Sequence, residues 1–167
     1  MGKGKRAFLV QSQTPMRPPL YRICKQFVVE SGHMLSKHPE KCRFPHGHTR
    51  TIEVVVAGPK LDANDMLLDF KALKLAVQDF IERYDHRMMI HAADPLRESL
   101  ESVHPDSVLV YDQDPTTEVM AKEIFDYISG VLAQGWSQGP YEIKAESVTL
   151  ERIRVWETKT SWAEFGI

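Results

Sequence analysis

The sequence predicts an α+β fold, with helices packed on a mostly antiparallel sheet. Strand-like, β-branched and aromatic runs open the chain. Two stretches with apolar residues at helical spacing follow, and strand-like residues return near the end. The coarse order is strand, strand, helix, short strand, helix, strand. No internal repeat and no second domain is visible, and 167 residues suit one domain.

Residues 1–19 read as a loose arm, mixing Gly, Lys, Ser and Gln with Pro15, Pro18 and Pro19. Residues 20–167 then form the single domain. Leu20 to Glu30 is strand-like, with Tyr21, Ile23, Phe27, Val28 and Val29. Two prolines and several charges make 36–45 a loop. Thr51 to Ala57 is β-branched and predicts a second strand, closed by Gly58-Pro59. Asp69 can cap a helix carrying Leu73, Leu75, Ala76, Val77, Phe80 and Ile81. The pattern fades at Tyr84 to Met89, and 92–107 reads as irregular, with Pro95 and Pro105. Val108 to Tyr111 predicts a short strand.

Asp114-Pro115-Thr116-Thr117-Glu118 reads as a helix start: a capping residue, proline at the first helical position, then an acid in the first turn. Val119, Ile124, Ile128, Val131 and Leu132 follow at helical spacing, and Gly135 and Gly139 end the helix. Tyr141 to Trp156 favours strand, with imperfect alternation in Val148, Leu150, Ile153 and Val155.

The bulk numbers exclude several classes. A net charge of −2 argues against a nucleic-acid binder. No apolar run approaches the ~20 residues that span a bilayer, so no membrane role is expected. The apolar run Ala7–Val10 is too short for a signal peptide. Cys24 and Cys42 are too few for a disulfide scaffold. Cys24, in a strand-like run, reads as a small buried hydrophobe. Together these point to a cytoplasmic protein.

The sharpest local signal is Cys42-Arg43-Phe44-Pro45-His46-Gly47-His48. On an extended strand, residues i and i+2 share a face, so His46 and His48 can share a zinc ion. Gly47 between them leaves room for a ligand to approach. His33, at the end of the first strand, joins them if the two strands pair as a hairpin. Three histidines with an open fourth position are the pattern of a catalytic zinc site. Solvated loop histidines are the plain alternative, and His38, beside Pro39, reads as a surface residue.

Cys42 lies four residues before His46. A thiol near zinc and imidazoles can serve as a general base or nucleophile. In Asp85-His86 a carboxylate can fix the tautomer of a histidine, provided the backbone turns there. Glu157, at the end of the last strand, can accept two hydrogen bonds from an amidine-like ring edge. Glu118 has a simple alternative role, complementing the helix dipole. Lys25, Arg50 and Arg87 are possible cations for an anionic substrate.

Taken in order, Phe27 through Ser31-Gly32-His33, Cys42-x-x-x-His46-Gly47-His48, Leu68-Asp69-Phe70, Asp85-His86, Pro115-Thr116-Thr117-Glu118 and Val155-Trp156-Glu157-Thr158 form a specific set. This set resembles the 6-pyruvoyltetrahydropterin synthase and 6-carboxytetrahydropterin synthase family, from about Tyr21 to Phe165. The resemblance implies the tunnelling fold, a four-stranded antiparallel sheet with two helices between its hairpins. It implies zinc on His33, His46 and His48, and Cys42 as general base with Asp85 and His86 as its proton-relay partner. It also implies Glu157 as anchor of the pterin ring, with Thr116, Thr117 and Glu118 near the pocket. Ring assemblies, commonly homohexamers with active sites between subunits, would let Cys42 meet Asp85 and His86 of another chain.

The three residues between Cys42 and His46 resemble the carboxy-forming bacterial pattern. The implied activity converts 7,8-dihydroneopterin triphosphate to 6-carboxytetrahydropterin, acetaldehyde and triphosphate, on the route to 7-deazaguanines such as queuosine. A 6-pyruvoyltetrahydropterin synthase or another pterin side-chain lyase is the alternative within the class. A non-catalytic pterin- or zinc-binding module, or a structural zinc protein, is the alternative outside it. The chain departs from the family pattern at Tyr84, where leucine is usual, and in the long segment 91–107.

Overall fold

In strand β1 (Tyr21–His33) alternate residues Val29, Ser31 and His33 turn into the protein, while Cys24, Gln26 and Val28 face out. A computed structural model describes residues 20–167, so the arm at residues 1–19 lies outside the described residues. β1 pairs antiparallel with β2 (His46–Gly58) along its whole length, from Tyr21 opposite Gly58 to His33 opposite His46. Both strands are longer than expected, because the His-Gly-His motif is itself strand. Cys24 corrects the sequence reading: it is exposed, because the period of two places it on the outward face.

Helix α1 (Phe70–Glu82) begins at Asp69, whose carboxylate accepts hydrogen bonds from the amides of Lys71 (2.6 Å) and Ala72 (3.4 Å). Its buried residues Leu73, Ala76, Val77, Phe80 and Ile81 repeat at helical spacing and lie over the sheet. Segment 84–107, where the periodic pattern fades, contains more structure than expected. A turn leads into β3 (Arg87–His91), then α2 (Arg97–Val103) and β4 (Val108–Tyr111). β3 runs parallel to β1, with Ser31 opposite Arg87, and β4 runs parallel to β3.

Helix α3 (Thr117–Gln134) starts two residues later than the sequence suggests. Its cap is Thr116, whose hydroxyl accepts from the Val119 amide (3.4 Å); Asp114 is engaged elsewhere. Gly135 ends it at φ +78°, where an added Cβ would come within 2.9 Å of the Ile143 carbonyl oxygen. The expected strand at 141–156 is two pieces. A small hairpin, β5 (Trp136–Gln138) and β6 (Tyr141–Ile143), precedes β7 (Thr149–Trp156), and β8 (Trp162–Gly166) follows.

The main sheet has the order β4-β3-β1-β2-β7-β8. Its antiparallel strands β1, β2, β7 and β8, with α1 and α3 between the two hairpins in sequence, form the expected tunnelling-fold arrangement. The parallel strands β3 and β4 extend one edge. The imperfect alternation in β7 has a physical cause. A bulge gives Arg152 the partner Val55 and Leu150 the next partner, Val56, so Glu151 is the extra residue. Leu150 and Ile153 therefore both point inward.

The core lies between the sheet and the helices α1 and α3, around fully buried Ile52, Val54, Leu73, Ile124, Ile128 and Ile153. The other sheet face is ion-paired: Arg22 to Glu151 (2.7 Å) and Arg154 to Glu164 (2.7 Å). Among the described residues no helix is long and apolar enough to cross a membrane.

Asp69 satisfies two amides that α1 otherwise leaves open. Asp69→Ala should lower stability by about 1 kcal/mol in urea unfolding, and Asp69→Ser should recover most of the loss.

Candidate functional site

The hairpin register builds the centre of the site. His33 pairs directly with His46, and His48 follows on the same face of β2. The three ring centroids lie 4.6 to 5.2 Å apart, and one ligand atom from each ring lies within 4.8 Å of the others. His33 Nδ1 sits 2.9 Å from the Pro115 carbonyl oxygen, and His46 Nδ1 sits 2.7 Å from that of Phe44. A carbonyl only accepts, so both Nδ1 atoms carry the proton and both Nε2 atoms present lone pairs.

Those two Nε2 atoms are 3.0 Å apart. Neither can then donate to the other, and His48 Nε2 is buried without a hydrogen-bond partner. Facing lone pairs and an orphaned nitrogen are the arrangement a shared cation resolves. The chemistry fits a divalent ion such as zinc, which takes imidazole nitrogen at about 2.0–2.1 Å. The Pro115 and Phe44 carbonyls orient the rings from behind, as outer partners of metal-binding histidines do.

The end of β7 and the start of α3 bring a carboxylate to this centre. Glu157 Oε1 accepts from the Thr117 hydroxyl (2.7 Å) and lies 3.4 Å from His33 Nε2 and 3.7 Å from His48 Nε2. Arg50 Nη2 is 3.5 Å from the same oxygen. Arg50 is fully buried, and its Nη1 donates to the Ser31 carbonyl (3.0 Å) and hydroxyl (2.6 Å). It is therefore no free cation for a phosphate. The signal that finds it is the period of two: counting from His46 and His48, position 50 points inward.

Burial pushes the His33 imidazole down to about 4, against the raising effect of the Pro115 carbonyl. Burial, then the Arg50 charge, lowers His48 as well. Burial works to raise Glu157. The Thr117 hydroxyl and the charges of His33, His48 and Arg50 outweigh it and hold the carboxyl below its ordinary value. His33 and His48 are thus held toward the neutral imidazole beside a carboxylate.

Asp85 and His86 form the expected pair across a turn-like backbone. His86 has φ +55°, a left-handed conformation histidine tolerates better than most, and its Nδ1 lies 2.8 Å from Asp85 Oδ2. The pair is tied to β1 by main-chain atoms. Asp85 Oδ1 accepts from the Glu30 amide (2.8 Å), and the His86 amide donates to the Glu30 carbonyl. The Glu30 amide, then His86, holds the Asp85 carboxyl below its usual range. The His86 side chain is open to solvent.

Cys42 sits on a single turn at Lys41–Arg43, half-buried and free, with its carbonyl accepting from the Leu35 amide (2.9 Å). Among the described residues no hydrogen bond joins it to His86 or to the three histidines. Thr116 caps α3, and Glu118 lies exposed in its first turn. Gly47 corrects the sequence reading: alternation places it on the face opposite the histidines, paired with Gly32, so it makes no room beside the three imidazoles. Tyr84 is buried, and its hydroxyl donates to Glu123 (2.9 Å), as does that of Tyr111 (2.6 Å).

The family model for 6-pyruvoyl tetrahydropterin synthase matches residues 22–166. A protein of Aquifex aeolicus named 6-carboxy-5,6,7,8-tetrahydropterin synthase is 30% identical over 164 residues, covering 87% of this chain and 97% of its own. The Bacillus subtilis protein of the same name is 27% identical over 149 residues, covering 89% and 86%. The structure of Caenorhabditis elegans 6-pyruvoyl tetrahydropterin synthase aligns with a TM-score of 0.63 at 18% identity, over 91% of this chain and 99% of that one.

An unfolded histidine titrates near ~6.5, so between that value and the lowered one of His33 only the unfolded state takes up the proton. The stability His33 lends the metal-free protein is full above this window and falls as pH drops through it, from 6.5 towards 4. His48 acts in the same direction. Urea midpoints across this range should show the fall, and His33→Asn should flatten it.

Proposed function

Since the chain belongs to the 6-pyruvoyl tetrahydropterin synthase family, we propose that it is a zinc-dependent 6-carboxytetrahydropterin synthase acting on 7,8-dihydroneopterin triphosphate. The observation that carries this reading is the convergence of three histidine Nε2 atoms beside Glu157. The carboxy product is favoured by relatives such as those of Aquifex aeolicus and Bacillus subtilis, which are named for it.

His33, His46 and His48 hold the zinc, which when bound supplies Lewis acidity toward the hydroxyls of the substrate side chain. Glu157 accepts hydrogen bonds from the amidine edge of the pterin ring. Thr117 orients that carboxylate, with Thr116 and Glu118 at the rim of the pocket. Cys42 removes a carbon-bound proton from the side chain, and His86, oriented by Asp85, returns protons to the departing groups. Triphosphate leaves, water adds at the side-chain carbon next to the ring and supplies the second carboxyl oxygen, acetaldehyde departs as the carbon-carbon bond breaks, and 6-carboxytetrahydropterin remains.

The exposed His86 fits an active site completed between subunits, with Cys42 from one chain and Asp85-His86 from another in a homohexamer. The setting is the cytoplasm, and the product feeds 7-deazaguanine synthesis such as that of queuosine.

Mass spectrometry of products from the zinc-loaded protein and 7,8-dihydroneopterin triphosphate tests this directly. 6-Carboxytetrahydropterin with acetaldehyde is expected. Accumulated 6-pyruvoyltetrahydropterin would move the protein to the pyruvoyl branch, and an untouched substrate would leave a binding module. Cys42→Ala should retain zinc and lose at least about a hundredfold in turnover; near-normal turnover would remove Cys42 from the base role.

A further inference from the structure

Position 50 of β2 faces the same side as Ile52 and Val54, where alternation calls for an apolar residue. It holds an arginine with no exposure at all. A buried cation is strongly unfavourable unless a partner compensates it. Ser31 takes up Nη1, while Nε and Nη2 have no hydrogen-bond partner. The group that Nη2 approaches is Glu157 Oε1, at 3.5 Å.

The position of that oxygen is the key. Donor atoms around a tetrahedral zinc lie roughly 3.3–3.5 Å apart, given bond lengths of about 2.0–2.2 Å. Glu157 Oε1 is 3.4 Å from His33 Nε2 and 3.7 Å from His48 Nε2, almost the spacing of a fourth ligand. Yet it lies outside the set of mutually close ligand atoms, which comprises the three histidines. Left unrestrained, a carboxylate so placed would close the site with four protein ligands, as in structural zinc centres.

We infer that Arg50 is a positioning residue that holds the Glu157 carboxylate off the metal, keeping a coordination position open for substrate. This deepens the function proposed above and rests on the histidine cluster binding zinc. The Thr117 hydroxyl also donates to Oε1, at 2.7 Å, and gives that oxygen a second partner in the protein. Arginine suits the task where lysine does not, because its planar fork grips Ser31 with one nitrogen and faces Glu157 with another. Held back in this way, Glu157 stays free for the pterin.

Zinc affinity, measured by competition with a chromophoric chelator, tests the inference without any turnover. Arg50→Met should bind zinc at least tenfold more tightly, as Glu157 swings in to become a ligand. The visible spectrum of the cobalt-substituted variant should change with the added carboxylate oxygen. Both effects should vanish in Arg50→Met/Glu157→Gln. Affinity no tighter than wild type overturns the inference. So does a gain that persists in the double variant, which would be mere relief of charge repulsion.

A crystal structure of the zinc-loaded wild type needs no variant to fold. Glu157 beyond bonding distance of the ion is expected, and Glu157 bonded to it overturns the inference, as does a wild type that binds no zinc. A protein that shows these shifts but leaves 7,8-dihydroneopterin triphosphate untouched loses the proposed activity and keeps the role of Arg50.

Discussion

The direct pairing of β1 with β2 governs everything around the histidine cluster. His33 faces His46 across the ladder, and Ser31 faces His48, one step before Arg50. The side-chain period of a strand is two, so a slip of one residue would turn His46, His48 and Arg50 to the outer face together. The apolar run Ile52, Val54 and Val56 resists that slip, because the same shift would pull it out of the core. The histidine cluster thus inherits its precision from hydrophobic burial further along the same strand.

The four residues ahead of and into α3 do the rest. Asp114 accepts from the Ser36 hydroxyl (2.7 Å) and the Lys37 amide (2.9 Å), which ties down the loop between β1 and β2. The Pro115 carbonyl sets the ring of His33, and Thr117 sets Glu157. One short segment therefore braces the hairpin loop, a candidate metal ligand and the carboxylate. A second, half-buried polar cluster braces the other candidate catalytic group. Glu123 on α3 receives the hydroxyls of Tyr84 and Tyr111, and burial raises both phenols so that they remain donors. Tyr84 directly precedes the turn that carries Asp85 and His86, so this cluster fixes that turn to the helix layer.

Legibility in the sequence followed how local the cause was. His46 and His48 were legible because i and i+2 on a strand share a face, and His33 because the first two strands pair as a hairpin. Helices α1 and α3 were legible from their apolar spacing, and Asp69 from its place before α1; α2 was not, because it is short and buries none of its residues. β3 was not, because Arg87–His91 is short and owes its strand form to a parallel neighbour distant in sequence. β8 was not, because only Ala163 of its residues is buried. The cap of α3 was misplaced because Asp114 is as good a capping residue as Thr116, and only the loop at Ser36 and Lys37 decides between them. By residue type alone Arg50 reads like any other surface cation, and only its inward-facing position on β2 sets it apart.

The tie between the Asp85-His86 turn and β1 uses only the amide and carbonyl of Glu30. The side chain of residue 30 points away from this tie, to the hydroxyl of Thr49 (2.9 Å). Sequence change at position 30 is thereby uncoupled from the geometry of the pair. Descendants of this chain can alter the outer face there, in size or in charge, while Asp85 and His86 stay where they are. A main-chain anchor of this kind gives the protein room to diversify its surface beside a candidate catalytic pair without moving it.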